Sequence, residues 1–433
     1  MPAGSCYSVG LGGHITGGGY GLSSRAYGLT VDSLCGYTIV VASDEGFDVI
    51  NVDCSSELDL SYGIRDGGGG NFGIITSYSF NKLPPAWASA DIFAISINWS
   101  DITSWTILKS ILQVYSTYCA NNGTSVDPEK QEWSKNIFGL GKFTHKQSKQ
   151  IVFAIQSAWT DAQDQKIQFE QVKNFVTDLS NIDGLTVDYI RYKPPGHAQI
   201  PDLFYGAPVG LAFDINSSYA SQSMSWLDAT MSLNGSGANQ RGCYNSAYFR
   251  TMLVDTQIQG MYKYLSGQAD VEGLDYSQAL IQIDSYGGKI NEYAGAPSAI
   301  KQRDSIMKGQ FQIYWNDGYQ NSNVKDESYV NWMKNFYNEM FVETGGFPDP
   351  YSSSEASKSV DGCYINYPNS ILGTNTFGAE IKESDTPDIY HAMRLYYGID
   401  IMNNLIEIKE KYDSNNFFRH AQSIPVKKPQ KLI

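Results

Sequence analysis

The chain has 433 residues, 42% of them hydrophobic, enough to bury a substantial core in two lobes. A formal net charge of −14 argues against nucleic acid and anionic membrane as partners. No apolar run reaches the roughly 18 residues of a membrane-crossing helix, and the opening MPAGSCYSV lacks the basic and apolar regions of a signal peptide.

The first segment, Ser5 to Leu29, combines a cysteine, a GxGGH turn and a triple glycine. Glycines at 10, 12, 13, 17, 18, 19 and 21 let bare main chain lie against a planar ring and adopt φ > 0 where needed. The spacing is not a dinucleotide-binding fingerprint, because Ile15 falls where the last glycine belongs and no strand precedes it. Taken alone, it is a tight glycine turn. The β-rich runs YTIVVAS and FDVINV then predict a hairpin, flanked by Cys35 and Cys54, which either pair or remain free buried thiols. NFGIITSYSF follows as a further strand, and Leu83-Pro84-Pro85 marks a boundary.

The middle region alternates strands (ADIFAISINWS, NIFGLGKFTH, QIVFAIQSAW, FQIYW) with amphipathic helices. Ile167, Val172, Phe175, Val176 and Leu179 share one helical face, as do Tyr329, Val330, Met333, Phe336, Tyr337 and Met340. Both stripes read as core. An α+β fold follows, with an antiparallel sheet covered on one face by helices. From about Gly362 a tyrosine-rich motif, a helix over 388–411 and a closing loop complete the chain. Sequons at Asn98, Asn122, Asn216 and Asn234 point to a secreted, glycosylated protein. Six cysteines are too sparse for a disulfide scaffold, and no zinc spacing, P-loop, GxSxG elbow or Cys/His dyad stands out.

Four ordered motifs resemble those of the berberine bridge enzyme-like group within the vanillyl-alcohol oxidase (PCMH-type) flavoprotein superfamily. The pattern C-x-x-V-G-x-G-G-H-x-x-G-G-G-x-G, then R-x-Y-G-L, is matched from Cys6 to Leu29. D-L-x-x-x-x-R-x-G-G-G-G-N-F-G-I-I-T stands at Asp59 to Thr76, with Asp66 in place of one family glycine. Tyr364-Ile-Asn366-Tyr367 and Tyr412 to Pro425 match the closing motifs, with Ser414 for the family proline.

The resemblance implies FAD as cofactor and three segments: 1–84, the second part of the flavin domain; 85–361, the substrate domain; and 362–433, returning to the flavin domain. It implies that the chain begins inside that domain, downstream of the histidine that anchors the flavin 8α-methyl group. Cys6 matches the cysteine bonded to flavin C6, a role a thiolate stabilised by a glycine turn suits. Val9 matches the small residue that admits dioxygen. His14 hydrogen-bonds the flavin or caps its turn, the capping role being favoured. Gly10, Gly12, Gly13, Gly17, Gly18, Tyr20, Gly21, Gly70, Asn71, Gly73, Ile74, Ile75 and Asn366 complete the implied cofactor contacts.

Tyr367 is the candidate base. A phenol with a pKa near 10 needs a neighbouring ammonium to act at neutral pH. In strand register Lys308 and Gln310 point to one face, and the family's K-x-Q pair faces the second tyrosine of Y-x-N-Y. Gln310 stands where alkaloid-cyclising members carry a glutamate base, which argues against cyclisation. Tyr286 matches a turn lining the substrate cavity, and Lys301-Gln302-Arg303 replaces a family PHR run. The expected activity is an FAD-dependent oxidase taking hydride from a sugar or an aromatic or allylic alcohol, with dioxygen as acceptor giving hydrogen peroxide. The alternatives are a degenerate flavoprotein without catalysis and a dehydrogenase with another acceptor.

Overall fold

The computed structural model describes residues 1–2, 4, 9–56, 59–120, 133–190, 208–212, 221–232, 241–316, 322–374 and 388–426; Cys6, Asn122, Asn216 and Asn234 lie outside them. Two short helices, α1 (Leu11–Thr16) and α2 (Ser24–Tyr27), precede β1 (Leu34–Ser43) and β2 (Gly46–Val52). After α3 (Asp59–Ile64), strand β3 (Ile74–Phe80) completes a three-stranded antiparallel sheet of order β2-β1-β3. The hairpin reads as the sequence predicts, and Cys35 and Cys54 are disulfide-bonded across it. The glycine turn differs from expectation: Gly12 and Gly13 lie inside α1, because Gly10 to Thr16 close helical hydrogen bonds such as His14 N–H to the Gly10 carbonyl.

The larger sheet uses β4 (Ser89–Asn98), β5 (Ile137–Thr144), β6 (Gln150–Trp159), β7 (Val187–Ile190), β8 (Pro208–Ala212), β9 (Gln222–Ser225), β10 (Arg241–Phe249), β11 (Leu280–Ser285) and β12 (Met307–Trp315). Their order is β10-β12-β11-β5-β6-β4-β7-β8, with β9 also on β4, and every pairing is antiparallel. Helices α4 (Trp105–Cys119), α5 (Ala162–Ser180), α6 (Trp226–Ser232), α7 (Asp255–Leu265) and α8 (Ser322–Met340) intervene in the chain.

Directly opposed residues of antiparallel strands share a face, so the register sorts the sheet into two surfaces. One is apolar: Phe311 meets Phe336 and Tyr337 of α8, and Phe153 meets Tyr115 of α4 and Phe175 of α5. The other carries Tyr248, Lys308 and Asp284 in one row and Ser246, Gln310, Gln282 and Lys142 in the next. The predicted α+β architecture with one helix-covered face holds. Of the α8 stripe, Val330 is exposed instead of packed, since it lies at the margin of the buried arc. Among the described residues no helix is long and apolar enough to cross a membrane.

The last segment packs on the first. Its helix divides into α9 (Ile389–Tyr397) and α10 (Ile399–Tyr412), not one helix over 388–411, because Gly398 at φ +76° breaks the ladder. A side chain there would meet the Tyr351 hydroxyl and the Lys301 stem. Lys409, fully buried, donates to the carbonyls of Asn71 and Phe418 and pairs with Asp413. The two ends of the chain are thereby locked together.

Candidate active site

Lys308 projects from the polar face of β12 and is 2% exposed. Its Nζ lies 4.3 Å from the Tyr20 ring centre, 4.2 Å from Tyr364 and 4.7 Å from Tyr367, and donates to the Tyr367 hydroxyl at 3.4 Å. Three rings present their negative faces to one ammonium, which stabilises a cation that water does not reach. Burial still dominates and brings the Lys308 pKa down to about 8, opposed by Asp284. Asp284, directly opposite on β11, is itself pushed up to about 6 by burial, against the pull of Lys308, Gln282 and Lys142.

Each ring is held in place. The Tyr20 hydroxyl donates to the Ser285 carbonyl at 2.6 Å, and its ring packs 5.2 Å from Tyr286. Tyr364 and Tyr367 meet edge-on at 5.0 Å. Between them Asn366 points back to the glycine segment, donating from Nδ2 to the His14 carbonyl at 3.2 Å, the Gly17 carbonyl at 3.4 Å and the Tyr364 hydroxyl at 3.0 Å. A Cβ on Gly17 would stand 2.1 Å from Asn366 Oδ1, so only glycine permits the approach. Gly18, at φ +91°, and Gly19, at φ +77°, then turn the chain towards Tyr20.

The structure thus brings Tyr20, His14, Gly17, Asn366, Lys308 and Tyr367 together from opposite ends of the chain. Gln310 follows Lys308 on the same face. Val9, Gly10, Gly12 and Gly13 are exposed, and a Cβ on any of these three glycines would meet nothing within 4 Å among the described residues. Gly21 takes the Ser24 hydroxyl as acceptor for its N–H, and Gly70, at φ +72°, lies beside His420. Asn71 donates to the Gly67 and Gly68 carbonyls and accepts from Ile424 N–H. Gly73 leads into β3 under the Val40 carbonyl, followed by exposed Ile74 and half-buried Ile75. Tyr286 is buried behind Tyr20 and Tyr248, and its carbonyl accepts from Arg25.

Two functional candidates escaped the sequence reading, Asp284 and Gln282. Their signal was the alternation in Leu280-Ile-Gln-Ile-Asp-Ser285, where both polar residues fall on one face of a strand. Lys301-Gln302-Arg303 forms a clamp: Lys301 pairs with Asp361, Gln302 donates to the Cys363 and Tyr396 carbonyls, and Arg303 holds Asp32 at 2.6 Å.

The residues fit a flavin. Among the described residues His14 Nε2 is buried without a hydrogen-bond partner, beside a bare glycine surface flanked by exposed Val9 and Leu11, which suits a planar ring with polar edges. Burial and the Lys308 charge hold His14 at about 4, so its imidazole is neutral. The arrangement suits a flavin-dependent enzyme, with Lys308 and Tyr367 in contact beside the glycine segment.

Comparison with known proteins agrees. Residues 363–425 match the family described as Berberine and berberine like. The chain is 32% identical over 444 residues to hexose oxidase of Chondrus crispus, spanning 99% of this chain and 74% of that protein. It is 27% identical over 440 residues to aclacinomycin-N/aclacinomycin-A oxidase of Streptomyces galilaeus, spanning 98% and 69%. A solved glycopeptide hexose oxidase, complexed with teicoplanin, superposes with a TM-score of 0.73 at 25% identity, covering 98% of this chain and 76% of that one. The chain belongs to the berberine bridge enzyme-like family of FAD-linked oxidoreductases.

Proposed function

We propose that the protein oxidises a CH–OH group of a small-molecule alcohol, a sugar or an aromatic carbinol, with Tyr367 as the base. The single observation carrying this is the 3.4 Å contact between Lys308 Nζ and the Tyr367 hydroxyl inside a ring cage. Lys308, charged below about pH 8, stabilises the phenolate of Tyr367, which takes the proton from the substrate hydroxyl. Asp284 supports that charge from the neighbouring strand, and Asn366 fixes Tyr367 relative to the glycine segment. FAD, when bound, supplies the hydride acceptor and returns the electron pair to dioxygen, giving hydrogen peroxide. His14, Gly10, Gly12, Gly13 and Gly17 would hold its ring, Val9 would leave room for dioxygen and Cys6 would supply a covalent anchor. The names of the relatives, two of them hexose oxidases, support the oxidase reading.

In this reading segments 1–84 and 362–433 form one flavin lobe around the substrate lobe 85–361, supported by the bonds of Lys409, Tyr397 and Ile424 to the glycine-rich stretch. A secreted, glycosylated protein fits the Cys35–Cys54 disulfide, since such bonds persist in oxidising compartments. The test is Tyr367→Phe. Flavin absorbance is expected to persist while the rate of flavin reduction by substrate falls by about 10²-fold or more. An unchanged reduction rate removes Tyr367 from the role.

A further inference from the structure

The polar face of β12 does not stop at Gln310. Gln312 follows on the same face, 7% exposed, and Tyr314 follows that. The Tyr314 hydroxyl donates to Gln312 Oε1 at 3.1 Å, and Gln312 Nε2 donates to Gln310 Oε1 at 2.7 Å. Tyr314 is pinned by an edge contact with Tyr244, centroids 5.5 Å apart at 80°, over Gly242, where a Cβ would lie 3.0 Å from the ring. This chain decides which end of the Gln310 amide is used. Its carbonyl is taken, so its NH2 group is the end left for a ligand on the face shared with Lys308. Directly opposite, Gln282 donates its own Nε2 to Asp284 Oδ1 at 3.0 Å, which leaves the Gln282 carbonyl as an acceptor. Two amides on adjacent strands thus offer a donor and an acceptor side by side.

We propose that Gln312 and Tyr314 are positioning residues that set substrate choice, holding Gln310 as a donor beside the acceptor Gln282. The pair then reads an ether or ring oxygen together with a neighbouring hydroxyl, so the substrate is a cyclic polyol of the pyranose type and not a flat aromatic alcohol. A site with a half-buried donor amide and a buried acceptor amide so oriented rejects analogues that leave them unpaired. The proposal rests on the reading of Tyr367 and Lys308 as the reacting pair.

The experiment compares glucose and galactose with their carbocyclic analogues, in which CH2 replaces the ring oxygen, for the wild type, Gln312→Leu and Tyr314→Phe. The wild type is expected to favour at least one hexose over its analogue by about tenfold or more in kcat/KM, the loss of one oriented hydrogen bond. Both variants should raise KM for that hexose by about fivefold to tenfold with a much smaller change in kcat, and should narrow the preference. Tyr314→Phe removes a single oxygen, so it carries the test if Gln312→Leu does not fold. Equal kcat/KM for hexoses and carbocycles, or unaltered KM in the folded variants, overturns this proposal alone. A wild type that oxidises none of the four compounds, yet whose flavin an aromatic alcohol reduces, also overturns it while leaving Tyr367 and Lys308 in place. Failure of the reacting pair shows separately, as full flavin reduction in Tyr367→Phe.

Discussion

Asp284→Asn tests the electrostatics of the site most directly. Asp284 is pushed up to about 6, chiefly by burial, so at pH 7.5 it is ionised and its charge supports the Lys308 ammonium across the strand pair. Opposed residues of antiparallel strands have Cβ atoms about 5 Å apart, and a unit charge at about 5 Å in an effective dielectric of about 20 contributes about 3 kcal/mol, or about two pKa units. The lysine stem reaches away from that pairing, which reduces the effect to about one to two units. Lys308, already brought down to about 8, then loses its proton between about pH 6 and 7 in the variant. Because the cation is what stabilises the Tyr367 phenolate, the alkaline limb of kcat/KM should move down by the same amount. Peroxide formation followed from pH 5.5 to 9 reads the limb, with flavin absorbance as the control for cofactor occupancy. A limb that stays in place while flavin remains bound refutes the coupling of Asp284 to Lys308.

Gly17→Ala places a methyl group 2.1 Å from Asn366 Oδ1 and should cost about 1–3 kcal/mol while separating Asn366 from the glycine segment. A lowered Tm with weakened flavin retention is expected, and a Tm within a degree of wild type contradicts the contact. Asp66 is buried at φ +88°, and burial, assisted by Asp32 and opposed by Arg303, raises its pKa well above the ordinary value. Its folded state therefore holds a proton that the unfolded chain releases above about pH 4, so this stability is complete below pH 4 and is lost as pH rises. Asp66→Asn, which also tolerates φ > 0, should gain Tm relative to wild type progressively between pH 4 and 7; a difference independent of pH counts against the buried charge.

Much of the framework was legible in the chain. The β-rich runs over Tyr37–Ser43, Phe47–Val52 and the β4, β5, β6 and β12 segments mark strands that formed; β4 and β6 are buried along almost their whole length, which is why they read as continuous apolar runs. Val172, Phe175, Val176 and Leu179 are buried as their helical spacing requires. What periodicity does not carry is strand order. That β11 lies against β12, setting Asp284 opposite Lys308, depends on a connection that local pattern does not encode. Nor does a helical stripe reveal that Gly398 bends out of it, because Gly398 turns to clear Tyr351 and Lys301, which come from elsewhere in the sequence.

The sequence by itself determined the family motifs, the glycine segment that only backbone can line, and the paired placement of Lys308 and Gln310 on one strand face. Those are local properties, set by residue type and by a period of two. The tertiary structure decided which side chains surround the lysine. Tyr367 is 59 residues from Lys308, and Asn366 is 352 from His14. Contacts at such separations exist only once a buried sheet face and the returning C-terminal segment exclude water around them. That exclusion brings Lys308 down to about 8 and makes its partnership with Tyr367 chemically useful.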